Sequence, residues 1–178
     1  MFEMESVGAG DQAMAVKPWI GQISPPDYPP EMLTGPPSMN LNLEYIYGYR
    51  CFDTRQNIFY TSQPNEIVYM AAAVGICMNT QYNSQRFMGA GESKQANGHT
   101  DDITALCVHP DKEHIATGEV GKNPKVIVWS SRTMQPVNTF RNGRDSRGIT
   151  AMAFSKDGTH LASCALDNDH TVRVWNWA

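Results

Sequence analysis

The sequence lacks any run approaching 18 consecutive apolar residues, so no segment reads as a membrane-spanning helix. It lacks a signal-peptide pattern as well: the opening MFEMESVGAGDQ carries acids where such a peptide carries bases ahead of an apolar stretch. These two absences predict an unprocessed, cytoplasmic chain with no membrane partner. Cysteine is sparse, and Cys51, Cys77, Cys107 and Cys164 stand far apart with no C-x-x-C pair, so free thiols are expected rather than a disulfide framework or a metal knuckle. An excess of basic charge is missing too. With 14 Lys and Arg against 18 Asp and Glu the formal net charge is -4, which argues against a nucleic-acid partner.

Catalytic patterns are equally scarce. GAGESK (residues 89–94) has the wrong spacing for a phosphate loop and no helix follows it. His109, His114, His160 and His170 occur singly at repeat-related positions, which reads as structural histidines and not as metal ligands. No Ser/His/Asp arrangement can be assigned. The expectation is a protein that is not an enzyme, with no catalytic residues, no metal and no cofactor.

What the chain does contain begins with an acidic, Pro-rich stretch. Residues 1–40 hold Glu3, Glu5, Asp11, Asp27 and Glu31 against the single base Lys17, and three Pro pairs at 25–26, 29–30 and 36–37 block helix and central-strand pairing. This segment reads as an extended leader, with Trp19 and Tyr28 its evident anchors. From Leu41 the pattern changes, since Leu41, Leu43, Tyr45, Tyr47 and Tyr49 alternate at period two and predict a strand with one buried face. Further strands are predicted at residues 57–61 and 66–79, the latter divided by a turn at Gly75.

An internal repeat organises the remainder. ITALCVHPDKEHIATGEVGKNPKVIVW (residues 103–129) aligns without a gap on ITAMAFSKDGTHLASCALDNDHTVRVW (residues 149–175), and each copy reads as three short strands separated by turns. PVNTF (residues 136–140) supplies a fourth strand between them. Short antiparallel strands recurring at this spacing form propeller blades: a four-stranded sheet with two apolar faces must stack against neighbours.

These residues resemble WD repeats, with Gly98-His99 ahead of the first copy and KVIVW and TVRVW closing the two. In that family a His, a Ser or Thr, an Asp and the Trp form a buried hydrogen-bond chain. The resemblance places His99, Thr117, Asn123 and Trp129 in those roles in the first copy and Ser163, Asp169 and Trp175 in the second, where Asp145 stands at the histidine position. Upstream, Leu43-Glu44, Tyr47-Gly48-Tyr49-Arg50, Asp53, Arg55, Asn57 and Glu66-Ile67-Val68-Tyr69 are similar to the HELP motif of the echinoderm microtubule-associated protein-like family, with Tyr45 where Trp is expected and Cys51 where Gly is expected.

The resemblance implies an all-β fold: a partial WD-type β-propeller of about three blades, the last incomplete, behind the extended leader. The corresponding division is 1–40 leader, 41–97 HELP motif and first blade, 98–144 WD-like repeat, and 145–178 truncated repeat. It also implies a non-enzymatic protein that binds tubulin or microtubules in the cytoplasmic cytoskeleton, in some members in the ciliary axoneme beside other axonemal or cytoskeletal proteins. A general WD-repeat scaffold is the alternative. The rest of a propeller, or a neighbouring chain, is expected to cover the open edges. The one stretch that charge nominates for partner contact holds Lys122, Lys125, Arg132, Arg141, Arg144 and Arg147 against Asp145 alone.

Overall fold

Short polar turns cut the chain beyond residue 57 into eleven strands in three antiparallel sheets. In the computed structural model, which describes residues 24, 26–29, 31, 35, 39, 41–89, 98–143 and 145–178, the first sheet contains β1 (Ile58–Tyr60), β2 (Glu66–Ala71), β3 (Val74–Asn79) and β4 (Ser84–Met88). The second contains β5 (Ile103–Val108), β6 (His114–Glu119), β7 (Lys125–Ser130) and β8 (Pro136–Arg141), and the third β9 (Ile149–Phe154), β10 (His160–Ala165) and β11 (Val172–Asn176). Strand order in each sheet follows sequence order. The chain divides into two units, Met1–Asn40 and Leu41–Ala178, and all three sheets belong to the second. Most of the leader and the GAGESK stretch after Gly89 lie outside the described residues, as does Arg144.

The sheets stack as three blades of a β-propeller, with β5 against β9 and β2 against β5. Period-two alternation explains why the middle blade has two buried faces. Along β7, Ile127 and Trp129 join Val68, Met70, Ile103 and Met88 in a core between the first and second blades. Val126 and Val128 point the other way, joining Ile149, Met152, Leu161 and Trp177 between the second and third. Every residue of β7 is buried, and each fully buried Val or Ile is worth about 1.5–3 kcal/mol relative to exposure.

Glycines set the distance between blades. A Cβ on Gly75 would meet the Trp129 ring at 2.9 Å, and one on Gly118 would meet Ile149 Cβ at 2.7 Å. Gly75 therefore lies inside β3 and does not divide the 66–79 run, contrary to the expectation from sequence; the turn falls at residues 72–73, with Ala72 in the left-handed region at φ 48°.

The alternating stretch at 41–49 is not a strand. Residues 41–50 have no regular structure, and Leu41, Tyr47 and Tyr49 are exposed. Attachment comes instead from a side chain that imitates a peptide: Gln85 Oε1 accepts the Ile46 N–H at 2.7 Å and Gln85 Nε2 donates to Ile46 O at 2.9 Å. Gly48, at φ 80°, bends the segment. Tyr45 donates its hydroxyl to Asn83 Oδ1, and the Arg50 N–H donates to Met70 O.

Candidate functional site

Four polar side chains buried in the second blade form one relay. Trp129 Nε1 donates to Thr117 Oγ1 at 3.2 Å, Thr117 Oγ1 lies 2.7 Å from His99 Nε2, and His99 Nδ1 lies 2.9 Å from Glu119 Oε2. One assignment of protons satisfies every link: the indole donates to the hydroxyl, the hydroxyl to Nε2, and Nδ1–H to the carboxylate. Glu119 also accepts the N–H groups of Thr100 and Lys125. Burial lowers the His99 pKa below its ordinary 6.5, with the Glu119 carboxylate opposing that effect. For Glu119, burial works upward, but the bonds from His99, Thr100 and Lys125 outweigh it and hold the group below 4.5.

His99, Thr117 and Trp129 are thus brought together, and Asn123 is not among them. Asn123 occupies the β6–β7 turn at φ 57°, a conformation Asn tolerates, and its carbonyl accepts from Arg141. The acid on His99 is Glu119, at the end of β6.

In the third blade Trp175 Nε1 donates to Ser163 Oγ at 3.0 Å, and Ser163 Oγ donates to Asn142 Oδ1 at 3.1 Å. The histidine's place is taken by Asn142, three residues before Asp145, where an ungapped alignment does not look. Asn142 Nδ2 is buried without a partner. Asp169 is exposed and outside this relay; the neighbouring Asp167 caps the β10–β11 turn by accepting from Thr171 N at 2.9 Å.

The six bases nominated for partner contact do not share one face. Lys125 is buried, and its Nζ donates to Gly98 O at 2.8 Å. Arg132 follows the C-terminal end of β7 and pairs with Glu113 at 3.3 Å. The β6–β7 turn lies at the other end of that strand, one six-residue strand length away, about 20 Å. Lys122, Arg141 and Arg147 do gather at that end: Arg141 Nη1 donates to Asn123 O, and Gly121 N donates to Arg147 O. All three are exposed. Acids interleave with them, because a neighbouring polar cleft of about 440 Å³ is lined by Asp145, Asp167 and Asp169 as well as Arg147 and Arg173.

Nor are His109 and His114 isolated. The β5–β6 turn brings both onto Asp111, with His109 Nδ1 2.9 Å from Oδ1 and His114 Nδ1 2.7 Å from Oδ2. In the sequence the histidines look single; the signal that joins them is H-x-D-x-x-H across a hairpin turn.

Comparison with known proteins matches the HELP motif over residues 36–76 and the WD domain, G-beta repeat, over residues 92–130 and 134–176. The chain is similar to the ciliary WD repeat-containing protein ctxp80 of Euplotoides octocarinatus, 33% identical over 183 residues that cover 98% of this chain and 25% of that protein. It is similar to the 77 kDa echinoderm microtubule-associated protein of Strongylocentrotus purpuratus, 36% identical over 149 residues, 79% of this chain and 20% of that protein. Echinoderm microtubule-associated protein-like 1 of Homo sapiens is 38% identical over 151 residues, 79% of this chain and 17% of its own length. The chain spans a quarter or less of the length of these relatives.

Proposed function

The chain belongs to the echinoderm microtubule-associated protein-like family, and from that premise we propose that it is a non-enzymatic microtubule-associated protein that contacts tubulin through its propeller surface. The observation that carries the proposal is the HELP motif running into WD repeats with 36–39% identity to microtubule-associated relatives. Its place is the microtubule cytoskeleton. A ciliary setting is favoured because the match to the ciliary relative extends over 98% of the chain, against 79% for the sea-urchin protein, and so takes in most of residues 1–40.

Tubulin's surface is acidic, and Lys122, Arg141 and Arg147 are the exposed bases at one blade end that answer it. Because acids interleave with them, their contribution is orientation and encounter rate more than affinity, and it is screened by salt. The 1–40 and 41–97 divisions belong to the same reading: leader along the filament, HELP segment packed on the first blade.

Cosedimentation of the full-length protein with stabilised microtubules across a salt series tests the reading. Saturable binding that weakens with salt, and that Arg141→Glu with Arg147→Glu weakens further, is expected. A folded protein that stays in the supernatant at low salt would instead be a general WD-repeat scaffold.

A further inference from the structure

We propose that Pro25-Pro26-Asp27-Tyr28 in the leader is a docking site for a partner domain of the WW class, whose groove is walled by aromatic rings and rimmed by bases. The leader holds three Pro pairs, and each is followed by one polar residue and then a large apolar one: Pro25-Pro26-Asp27-Tyr28, Pro29-Pro30-Glu31-Met32 and Pro36-Pro37-Ser38-Met39. The first of them alone ends in a ring with a hydroxyl. Pro26, Asp27, Tyr28 and Pro29 are all exposed, Tyr28 to 92%, and the Tyr28 hydroxyl has no hydrogen-bond partner among the described residues. Pro25 and Pro30 complete the stretch in sequence.

Backbone chemistry narrows how such a stretch can be read. Proline has no N–H, so two closely spaced pairs can neither join a sheet edge nor enter a helix that docks by one face. What remains is the polyproline II helix, which needs no internal hydrogen bonds and leaves its carbonyls free to accept. Between residues 25 and 30, Asp27 alone is neither a proline nor followed by one, so the sequence already biases the other five positions to extended backbone. The chain bends at Asp27 and Tyr28, about the one residue left free, and docking therefore orders little that the sequence has not ordered beforehand. With three residues per turn, the bound form would carry Pro25 and Tyr28 on one edge and Pro26 and Pro29 on the next.

Charge chooses among grooves of this kind. Pro26-Asp27-Tyr28-Pro29 also spells P-x-x-P, the pattern read by SH3 domains, whose acidic rim meets a basic residue beside the prolines. No Lys or Arg stands between Lys17 and Arg50, while Asp27 and Glu31 are acids, so an acidic rim is repelled and a basic one attracted. Tyr28, an apolar body with a polar tip, suits a slot that ends in a hydrogen-bonding or basic side chain. Met32 and Met39 have no such tip, which makes the other two pairs internal controls.

Isothermal titration of the full 178-residue chain with purified WW domains of the class that reads P-P-x-Y tests the site, with an SH3 domain alongside. Microtubules are absent, so the outcome is independent of the tubulin reading. The expected result is one equivalent bound, with an affinity at least roughly tenfold weaker in Pro26→Ala and in Tyr28→Ala. Both positions are exposed, so circular dichroism should be unchanged. Met39→Tyr, at a position that is 84% exposed, gives the third pair the same pattern and should add a second equivalent. Amide NMR shifts on binding should centre on Asp27 and Tyr28. Absence of binding to every WW domain, binding that Tyr28→Ala retains in full, or tighter binding to the SH3 domain would overturn the proposal.

Discussion

Thr117 is the residue on which the second blade's relay turns, because its one hydroxyl both accepts from Trp129 and reaches His99. Thr117→Val keeps the shape and leaves two buried groups unpaired, so chemical denaturation should show a loss of about 2–4 kcal/mol. Ser163→Ala in the third blade should cost less than half of that, since its relay already contains an unpaired Asn142 Nδ2 and a Trp175 that is only partly buried. Equal losses would mean that the two relays are equivalent. The pair at the relay's end makes stability depend on pH in a definite direction. Folding lowers the pKa of His99, so protons bind more tightly to the unfolded chain and stability falls as pH drops through 6.5. Glu119, lowered as well, adds a second loss as pH falls below 4.5. His99→Gln should flatten the dependence between about pH 7 and 5 relative to the parent in melting experiments, and an unchanged slope there would assign the titration elsewhere. His99, Thr117 and Trp129 were named through the resemblance to WD repeats, whose pattern assigns those residue types to fixed places in a blade. Glu119 and Asn142 were not: the acid arrives from the end of β6 in place of the turn, and the Asn replaces a ring by reaching from a position that the gapless repeat alignment skips.

Strand stacking is governed by the two glycines that face bulky residues of the next blade. Gly118→Ala places a methyl 2.7 Å from Ile149 Cβ, an atom that cannot rotate away. The second and third blades must then separate slightly, at a cost of about 1–3 kcal/mol. Cysteine labelling offers a sensitive check. Cys107 is buried in that contact, and burial pushes its thiol pKa up to about 12, so Gly118→Ala should raise its reactivity while exposed Cys51 stays as it was. A variant as stable and as unreactive as the parent would show that the blades approach with slack. At this scale ten of the eleven strands were readable, six of them because β5, β6 and β7 recur 46 residues later as β9, β10 and β11; β4 (Ser84–Met88) was not predicted, because SQRFM has too few apolar residues to show a strand's alternation. The other failures lie in contacts distant in sequence. Leu41 to Tyr49 alternate as a strand does, yet at Ile46 both main-chain groups bond to the side-chain amide of Gln85 and not to a neighbouring strand. Gly75 looked like a turn residue because close approach by another blade, its actual reason, comes from Trp129, far off in sequence.

For the molecule as a whole, the repeat extends beyond strand positions to the surfaces that blades present. In the second blade Ala105, Cys107, Ala116, Val126 and Val128 make up the face covered by the third. Their counterparts 46 residues on are Ala151, Ala153, Ala162, Val172 and Val174, and this second copy of the face is open: Val172 is 64% and Val174 65% exposed, and Ala151 and Ala153 are exposed beside them. The same side chains that are buried once are presented again. A continuous apolar face on a regular sheet drives association, since covering it removes apolar area from water with no polar groups to strand. The 178-residue chain on its own should therefore self-associate as its concentration rises, and Val174→Lys, a charge at the centre of that face, should shift it toward monomer in sedimentation velocity without loss of β-sheet signal. Val128→Lys, the same change at the covered copy of the face, should unfold the second and third blades, because there the ammonium group would be buried without a partner. If Val174→Lys associates as strongly as the parent, the contact lies elsewhere, and the aromatic stretch of half-buried Tyr45 and exposed Tyr47 and Tyr49 against the first blade becomes the surface to alter next.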